Sequence, residues 1–190
     1  MPKNNSRRGS LADPTLLAPL DADSQSTIQV IIETPKGSRN KFAFNEEQKV
    51  FEIKKVLPAG MVFPHDFGFI PSTMADDGDA VDVLVLMDEP AYPGCLIKCR
   101  VIGIIEGEQG KKKNKQRNDR IIAIEQENHS YAHVRHIRDM GKKFVQELEE
   151  FFVNYHRHLG KKFHVLDVQG PSEARRRIAE GMKAVHRKAR

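Results

Sequence analysis

The sequence predicts a mainly β fold with flanking helices, a small closed barrel with α-helices packed outside it. Three observations carry this reading. About six short runs of β-branched and apolar residues fall before residue 126 with no helical pattern between most of them, which favours a barrel over a doubly wound sheet. The acidic turn Asp76-Asp77-Gly78-Asp79-Ala80-Val81-Asp82 feeds directly into Val83-Leu84-Val85-Leu86, the pattern of a buried strand. The last third of the chain changes period, with apolar residues recurring at spacings of three and four, the mark of amphipathic helices.

The length of 190 residues suits one domain with a tail, and 39% apolar content is enough for a single core. Residues 1–25 are expected to be a flexible N-terminal arm, and residues 26–190 the barrel domain with its C-terminal helices. The arm is polar and mixed, with Pro2, Pro14 and Pro19, and with Leu11, Leu16, Leu17 and Leu20 available for docking. Lys3, Arg7 and Arg8 lack a neighbouring apolar region, so no secretory signal is expected. There is no apolar run of about 18 residues, so no membrane partner is expected. Cys95 and Cys99 alternate on one probable strand face, make neither a zinc site nor a disulfide scaffold, and as free thiols suit a reducing, cytoplasmic setting. A formal net charge of +5 suits an anionic ligand and is modest for a nucleic-acid-binding protein.

Taken in order, residues 27–32 are β-branched and read as the first strand, followed by Glu33-Thr34-Pro35 and a turn at 36–40. Residues 41–44 and 50–53 form a hairpin closed over 45–49. Residues 57–75, rich in Pro, Gly and Phe, read as an ordered but irregular connection. Strands are expected at 82–86, at 95–105 after the Pro93-Gly94 turn, and at 120–124. Residues 106–119 read as a charged loop with Lys111, Lys112, Lys113, Lys115 and Arg117. Phe144, Leu148, Phe151, Phe152 and Tyr155 make one helix face, which Gly160 ends. A short strand over 163–168 follows. Pro171-Ser172-Glu173 opens a second helix with Ala174, Ile178, Met182 and Val185 on one face and Arg175, Arg176, Arg177, Lys183, Arg187, Lys188 and Arg190 on the other.

The acidic turn concentrates the chemistry. Gly78 permits the tight or left-handed backbone a turn into a strand needs. Carboxylates this close raise one another's pKa unless something positive sits among them, and a hard divalent cation is the simplest remedy. A solvated acidic turn is the ordinary alternative. An EF-hand is excluded by the strand that follows and by the missing closing Glu. Glu33, Lys41, Lys55, Glu108, Asp119 and Arg120 sit where strands end, and Tyr155-His156 close the first helix. A barrel mouth can gather them. Carboxylates beside Lys and Arg are what a metal–polyphosphate complex requires.

These residues carry a resemblance. Asp77-Gly78-Asp79-Ala80-Val81-Asp82-Val83 resembles the signature of soluble family I inorganic pyrophosphatases, D-G-D-P-x-D followed by apolar residues. The stretches 32–41 and 61–71 resemble that family's first strand and turn and its F-x-P-x-x-Y-G-x-I segment. Pro93-Gly94, Phe151-Phe152-Val153-Asn154-Tyr155 and the Lys-Lys pair after it also fit, so the resemblance covers residues 27–180 or so. It implies a five-stranded, OB-like barrel with helices outside, Mg2+ as cofactor, pyrophosphate as substrate hydrolysed to two phosphates, and a homo-oligomer, dimer or hexamer. By residue, it implies Asp77 and Asp82 as metal ligands and Asp79 as the group that takes the proton of the attacking water, with a possible metal contact. It implies Glu33 as an outer-sphere carboxylate, and Lys41, Lys55, Arg120, Tyr155 and His156 as phosphate-binding positions.

Several positions depart from that pattern. Ala43 stands where Glu is usual, Phe67 for a Tyr, Ala80 for the signature Pro, Lys55 for an Arg, and Arg120 and His156 for Lys. Two Asp ligands are expected before Arg120. Their nearest matches are Glu108 or Gln109, and Asn118 with Asp119 adjacent. Alternation along a strand predicts that Asn118 and Asp119 face opposite sides, with Asn118 toward the site and Glu108 a partial substitute for the missing charge; a loop register shifted by one residue, with Asp119 as the ligand, is the alternative. Two other readings stand beside hydrolysis. One is a catalytically weakened or inactive homologue, from Ala43 and Asn118. The other is an OB-like nucleic-acid-binding module, from the basic loop and the Arg-rich last helix. The second lacks interleaved surface aromatics and no nucleic acid is expected as partner. His129, His133 and His136 share a helical spacing, for which surface or capping roles outweigh a zinc site.

Overall fold

The computed structural model describes residues 13–111 and 114–188. Pro2, Lys3, Arg7, Arg8, Leu11, Lys112, Lys113 and Arg190, named above, lie outside the described residues. In chain order the described residues form β1 (Thr27–Thr34), β2 (Asn40–Asn45), β3 (Val50–Val56), β4 (Asp66–Ile70), β5 (Val81–Leu86), β6 (Leu96–Lys111), β7 (Asn114–Arg117), β8 (Arg120–Glu125), α1 (Lys142–His158), β9 (Phe163–Gln169) and α2 (Pro171–Lys188).

Strands β1, β4, β5, β8 and β6 pair in that order, and β6 returns to pair with β1, so five strands close on themselves. All pairings in this ring are antiparallel except β5 with β8. This is the predicted barrel. The long strand β6 outruns the ring, and its second half pairs with β7 and β9. The hairpin β2–β3 is a separate ribbon. Both faces of the barrel wall are covered, which is why Val83-Leu84-Val85-Leu86 and Ile121-Ile122-Ala123-Ile124 read as unbroken apolar runs. Val83, Val85, Ile121 and Ala123 join a core reached by Ala174 and Ile178 of α2. Leu84, Leu86, Ile122 and Ile124 join a second core with Leu148 and Phe152 of α1. Each fully buried aliphatic or Phe side chain contributes roughly 1.5–3 kcal/mol. Helix α1 ends as predicted, with Gly160 at φ +68° and Lys161 N–H donating to His156 O (3.0 Å). No helix among the described residues is long and apolar enough to cross a membrane.

The structure corrects three expectations and agrees with the capping role expected among the histidines. The connection 57–75 contains the buried strand β4. Its Gly68 crosses β1 so closely that a Cβ there would lie 2.0 Å from Ile31 O. The charged loop 106–119 is mostly strand, the β6–β7 hairpin. Residues 129–136 do not form a helix. His129 N–H donates to Asp88 (2.8 Å), and His136 Nδ1 accepts from Arg138 N–H (3.1 Å) to cap a short 3-10 turn, so the three histidines share no helical face. Residues 13–25, expected within a flexible arm, are seated on the barrel. Gln29 N–H donates to Pro19 O (2.9 Å), Leu20 bridges to Ile28, and the largely buried Asp21 pairs with Lys98 at 2.9 Å.

Candidate active site

The acidic turn lies at the start of β5. Gly78 adopts φ +90°, Gly78 N–H donates to Ala75 O (3.0 Å), and Ala75 N–H donates to Asp79 O (2.7 Å). This small closed loop presents Asp77 and Asp79, while Asp82 stands on β5 opposite Phe69. All three line one side of a cleft of about 680 Å³. The hairpin β2–β3 forms another wall, and the end of α1 with the residues after it forms a third.

Glu33, at the end of β1, fastens the hairpin to the barrel. Its Oε2 accepts from Lys41 Nζ at 2.9 Å, and its Oε1 accepts from Phe44 N–H at 2.9 Å. Thr34 Oγ1 both donates to Phe42 O (3.1 Å) and accepts from Phe42 N–H (3.0 Å). Lys41 Nζ is thereby held 4.1 Å from the centre of the Phe67 ring, a cation–π contact. Lys55 pairs in register with Lys41 across the hairpin. Burial, helped by Lys161 and Lys41, lowers the pKa of Lys55.

Arg120 opens β8 and is 6% exposed. Its Nη1 donates to Asp82 Oδ2 (2.8 Å), to Asp119 O (2.8 Å) and to the Asn118 side-chain oxygen. Its guanidinium carbon also sits 5.7 Å from the Phe67 ring and 5.5 Å from Phe152. Phe67, read from sequence as a lost Tyr, is thus the apolar partition between two cations.

The electrostatics follow from depth. Burial pushes the Asp82 carboxyl up to about 6, against the opposing pull of Arg120 and Lys41. Burial and then the neighbouring Asp79 raise Asp77. Burial raises the Tyr155 phenol. Asp82 has Arg120 as its ion-pair partner, while Asp77, raised by burial and by Asp79, lies where a further cation is favourable.

Of the residues named from sequence, Glu33, Lys41, Lys55, Asp77, Asp79, Asp82, Asn118, Arg120, Tyr155 and His156 come together around this cleft, and Gln109 with them. Glu108 does not: it lies on the β6–β7 hairpin and pairs with Lys115, so Gln109 and not Glu108 is the match that reaches the cleft. Asp119 turns the other way from Asn118, as alternation predicts. It accepts from Gly107 N–H (3.0 Å) and Arg117 Nη2 (3.0 Å) and lies near Arg177 (3.8 Å), so its charge serves an ion-pair network outside the cleft. His156 borders the cleft but does not offer a cation. It is 3% exposed, stacks on Phe163 at 4.5 Å, and sets Nδ1 2.8 Å from Phe152 O. Burial pushes its pKa down to about 4, so the ring is neutral at physiological pH.

Sequence reasoning left out Thr15, Lys54, Lys161 and the Glu46-Glu47 pair, which also line the cleft. Lys161 had a signal, the Lys-Lys pair just past Tyr155. Thr15 had none, being in a segment read as an arm. Among the described residues, no three His, Cys, Asp or Glu side chains converge into a ready-made metal cage. Asp77 and Asp82, with the side-chain oxygens of Asn118 and Gln109 in the same cleft, are the oxygen donors that a hard divalent cation takes.

Comparison with known proteins gives one answer. The family described as inorganic pyrophosphatase matches residues 30–186. An inorganic pyrophosphatase of Nostoc sp. is 34% identical over 157 residues, covering 83% of this chain and 90% of the relative. One from Synechocystis sp. is 39% identical over 135 residues, covering 71% of this chain and 77% of the relative. The crystal structure of an inorganic pyrophosphatase from Thermus thermophilus superposes with a TM-score of 0.84 at 29% identity, covering 92% of this chain and 99% of that one.

Proposed function

The chain belongs to the inorganic pyrophosphatase family, hydrolases acting on pyrophosphate, and from that premise we propose that it carries out Mg2+-dependent hydrolysis of pyrophosphate to two phosphates by attack of water in this cleft. The observation that carries the reading is the shared cleft itself. Asp77, Asp79 and Asp82 line it together with Lys41, Lys55, Arg120, Lys161 and Tyr155. A compact polyanion repels a water nucleophile, so both its charge and the water's proton must be managed.

Asp77 and Asp82 are the residues that would hold Mg2+, with the neutral oxygens of Asn118 and Gln109 beside them. When bound, Mg2+ offsets the charge of pyrophosphate and lowers the pKa of a ligated water. Asp79, on the exposed lip of the turn, takes the proton of the attacking water. Lys41, Lys55, Arg120 and Lys161 hold phosphate oxygens, and the Tyr155 hydroxyl, kept protonated by burial, donates to one of them. Glu33 orients Lys41 and needs no metal contact of its own.

Phosphorus-31 NMR tests this. With Mg2+ the pyrophosphate resonance should convert fully to orthophosphate, and excess EDTA should halt the conversion. A pyrophosphate signal that persists at saturating Mg2+ refutes the proposal.

A further inference from the structure

One of the ion pairs in the cleft joins a buried guanidinium to a carboxylate of the acidic turn. Arg120 is 6% exposed, and its Nη1 reaches Asp82 Oδ2 at 2.8 Å. Its other acceptors there, Asn118 and the Asp119 carbonyl, are neutral. Its Nε is buried with no hydrogen-bond partner. A guanidinium does not lose its proton in a protein, so a full positive charge is fixed against Asp82 at every accessible pH. The other acids lining the cleft are Glu33, already paired with Lys41, the turn's own Asp77 and Asp79, and Glu46-Glu47 of the hairpin, whereas Ala43, Gln109 and Asn118 add no carboxylate.

Resting on the metal-site reading above, we propose that in the substrate-free protein Arg120 is a resident cation at Asp82 and competes there with divalent metal. A metal on Asp82 must sit about 2.0–2.1 Å from a carboxylate oxygen, close to a guanidinium that is bonded to the same carboxylate, and like charges that close repel. The substrate-free protein then holds divalent metal chiefly through Asp77 and water. Pyrophosphate resolves the conflict, since its oxygens give the guanidinium a second anionic partner and bring the metal as a complex. Metal and pyrophosphate are therefore coupled in binding through Arg120.

The test is Mn2+ binding without pyrophosphate, read from the free-ion signal by electron paramagnetic resonance. Arg120→Gln removes the charge and keeps hydrogen-bond donors for Asn118 and the Asp119 carbonyl; Arg120→Met removes both. Either neutral variant should bind Mn2+ about tenfold more tightly than wild type, while Arg120→Lys, which keeps the charge, should stay close to wild type. Adding Asp82→Asn to Arg120→Gln should erase the gain. Unchanged or weaker Mn2+ affinity in a folded Arg120→Gln protein overturns the proposal, as does a gain that survives Asp82→Asn. If neither neutral variant folds, nitrogen-15 NMR of wild type decides: Mg2+ alone should leave the Arg120 side-chain signal in place, and a displaced signal overturns the proposal. These readouts use metal alone, so absence of pyrophosphate hydrolysis by wild type would defeat the functional reading and leave this ranking interpretable.

Discussion

Lys41 Nζ lies 2.9 Å from Glu33 Oε2, and the second oxygen of the same carboxylate accepts the Phe44 N–H. One side chain of β1 thereby sets both the position of the hairpin and the direction of the Lys41 ammonium, the proposed phosphate-binding cation. Lys41 and Glu33 side chains are 14% and 12% exposed, so neither is well served by water if the other is lost.

Glu33→Gln should therefore keep one hydrogen bond and lose the charge pairing, and Glu33→Ala should lose both. Hydrogen bonds to charged groups contribute about 1.5–3 kcal/mol. We expect Glu33→Ala to lose about 2 kcal/mol in chemical denaturation and to raise KM for pyrophosphate about tenfold. Glu33→Gln should be milder in both. Wild-type KM in Glu33→Ala would mean that Lys41 is oriented by something else.

The loop before β8 gives a ranking. Asn118→Asp adds a carboxylate inside the cleft and should lower the Mg2+ concentration for half-maximal activity by several-fold. Asp119→Asn removes a carboxylate that faces Arg117 and the Gly107 N–H, so it should cost about 1–2 kcal/mol of stability and leave Mg2+ dependence nearly unchanged. Asp82→Asn should harm Mg2+ dependence more than Asp119→Asn. The reverse order between those two variants would place the metal on the other side of the strand.

His156 supplies a pH prediction. Its folded pKa, pushed down to about 4 by burial, lies below the usual 6.5, so the folded protein resists protonation there. Its contribution to stability is complete above pH 6.5 and is lost as pH falls from about 6.5 toward 4. At 1.36 kcal/mol per unit the loss is about 3 kcal/mol. His65 is pushed down to about 4 for the same cause and adds in the same direction. Unfolding free energies at pH 7 and pH 4.5 should differ less in His156→Leu than in wild type. An equal difference would show that the ring is not the acid-sensitive group.

The N-terminal segment is more involved than its composition suggests. Thr15 lines the cleft, its carbonyl accepts Ser72 N–H (2.9 Å), and Asp13 pairs with Lys49. Deleting residues 1–24 should lower Tm by several degrees and reduce activity several-fold, through the loss of this seating. Full activity and an unchanged Tm in the truncated protein would show the segment to be dispensable.

What was legible in the chain, and what was not, has physical reasons. Strands β5 and β8 and the apolar face of α1 stood out because each buries a periodic or continuous apolar set. The acidic turn stood out because four carboxylates crowd into residues 76–82 at the mouth of a buried strand. Strand β4 was hidden because Pro64, Gly68 and Pro71 punctuate it. Gly68 there answers to the close crossing with Ile31, a tertiary contact that no local pattern reports. The β6–β7 hairpin was hidden because it leaves the barrel and so carries polar residues on both faces. His156 looked like a cation by position. Phe152, one turn back on the same helix, and Phe163, at the start of β9, make it a neutral core ring. Alternation put Asn118 and Asp119 on opposite sides, but which of them faces the cleft stayed open in the sequence, because the register of the preceding loop is set by the β6–β7 pairing.

The initial rate of phosphate release from pyrophosphate, followed across a Mg2+ titration for wild type and Asp77→Asn, is the most direct measurement. We expect a saturable Mg2+ dependence in wild type and a half-maximal Mg2+ concentration raised about tenfold or more in Asp77→Asn, because an amide brings no negative charge to the cation. Phosphate release that ignores Mg2+, or an Asp77→Asn protein with the wild-type rate and Mg2+ dependence, would contradict the assignment of the acidic turn as the metal site of a pyrophosphate hydrolase.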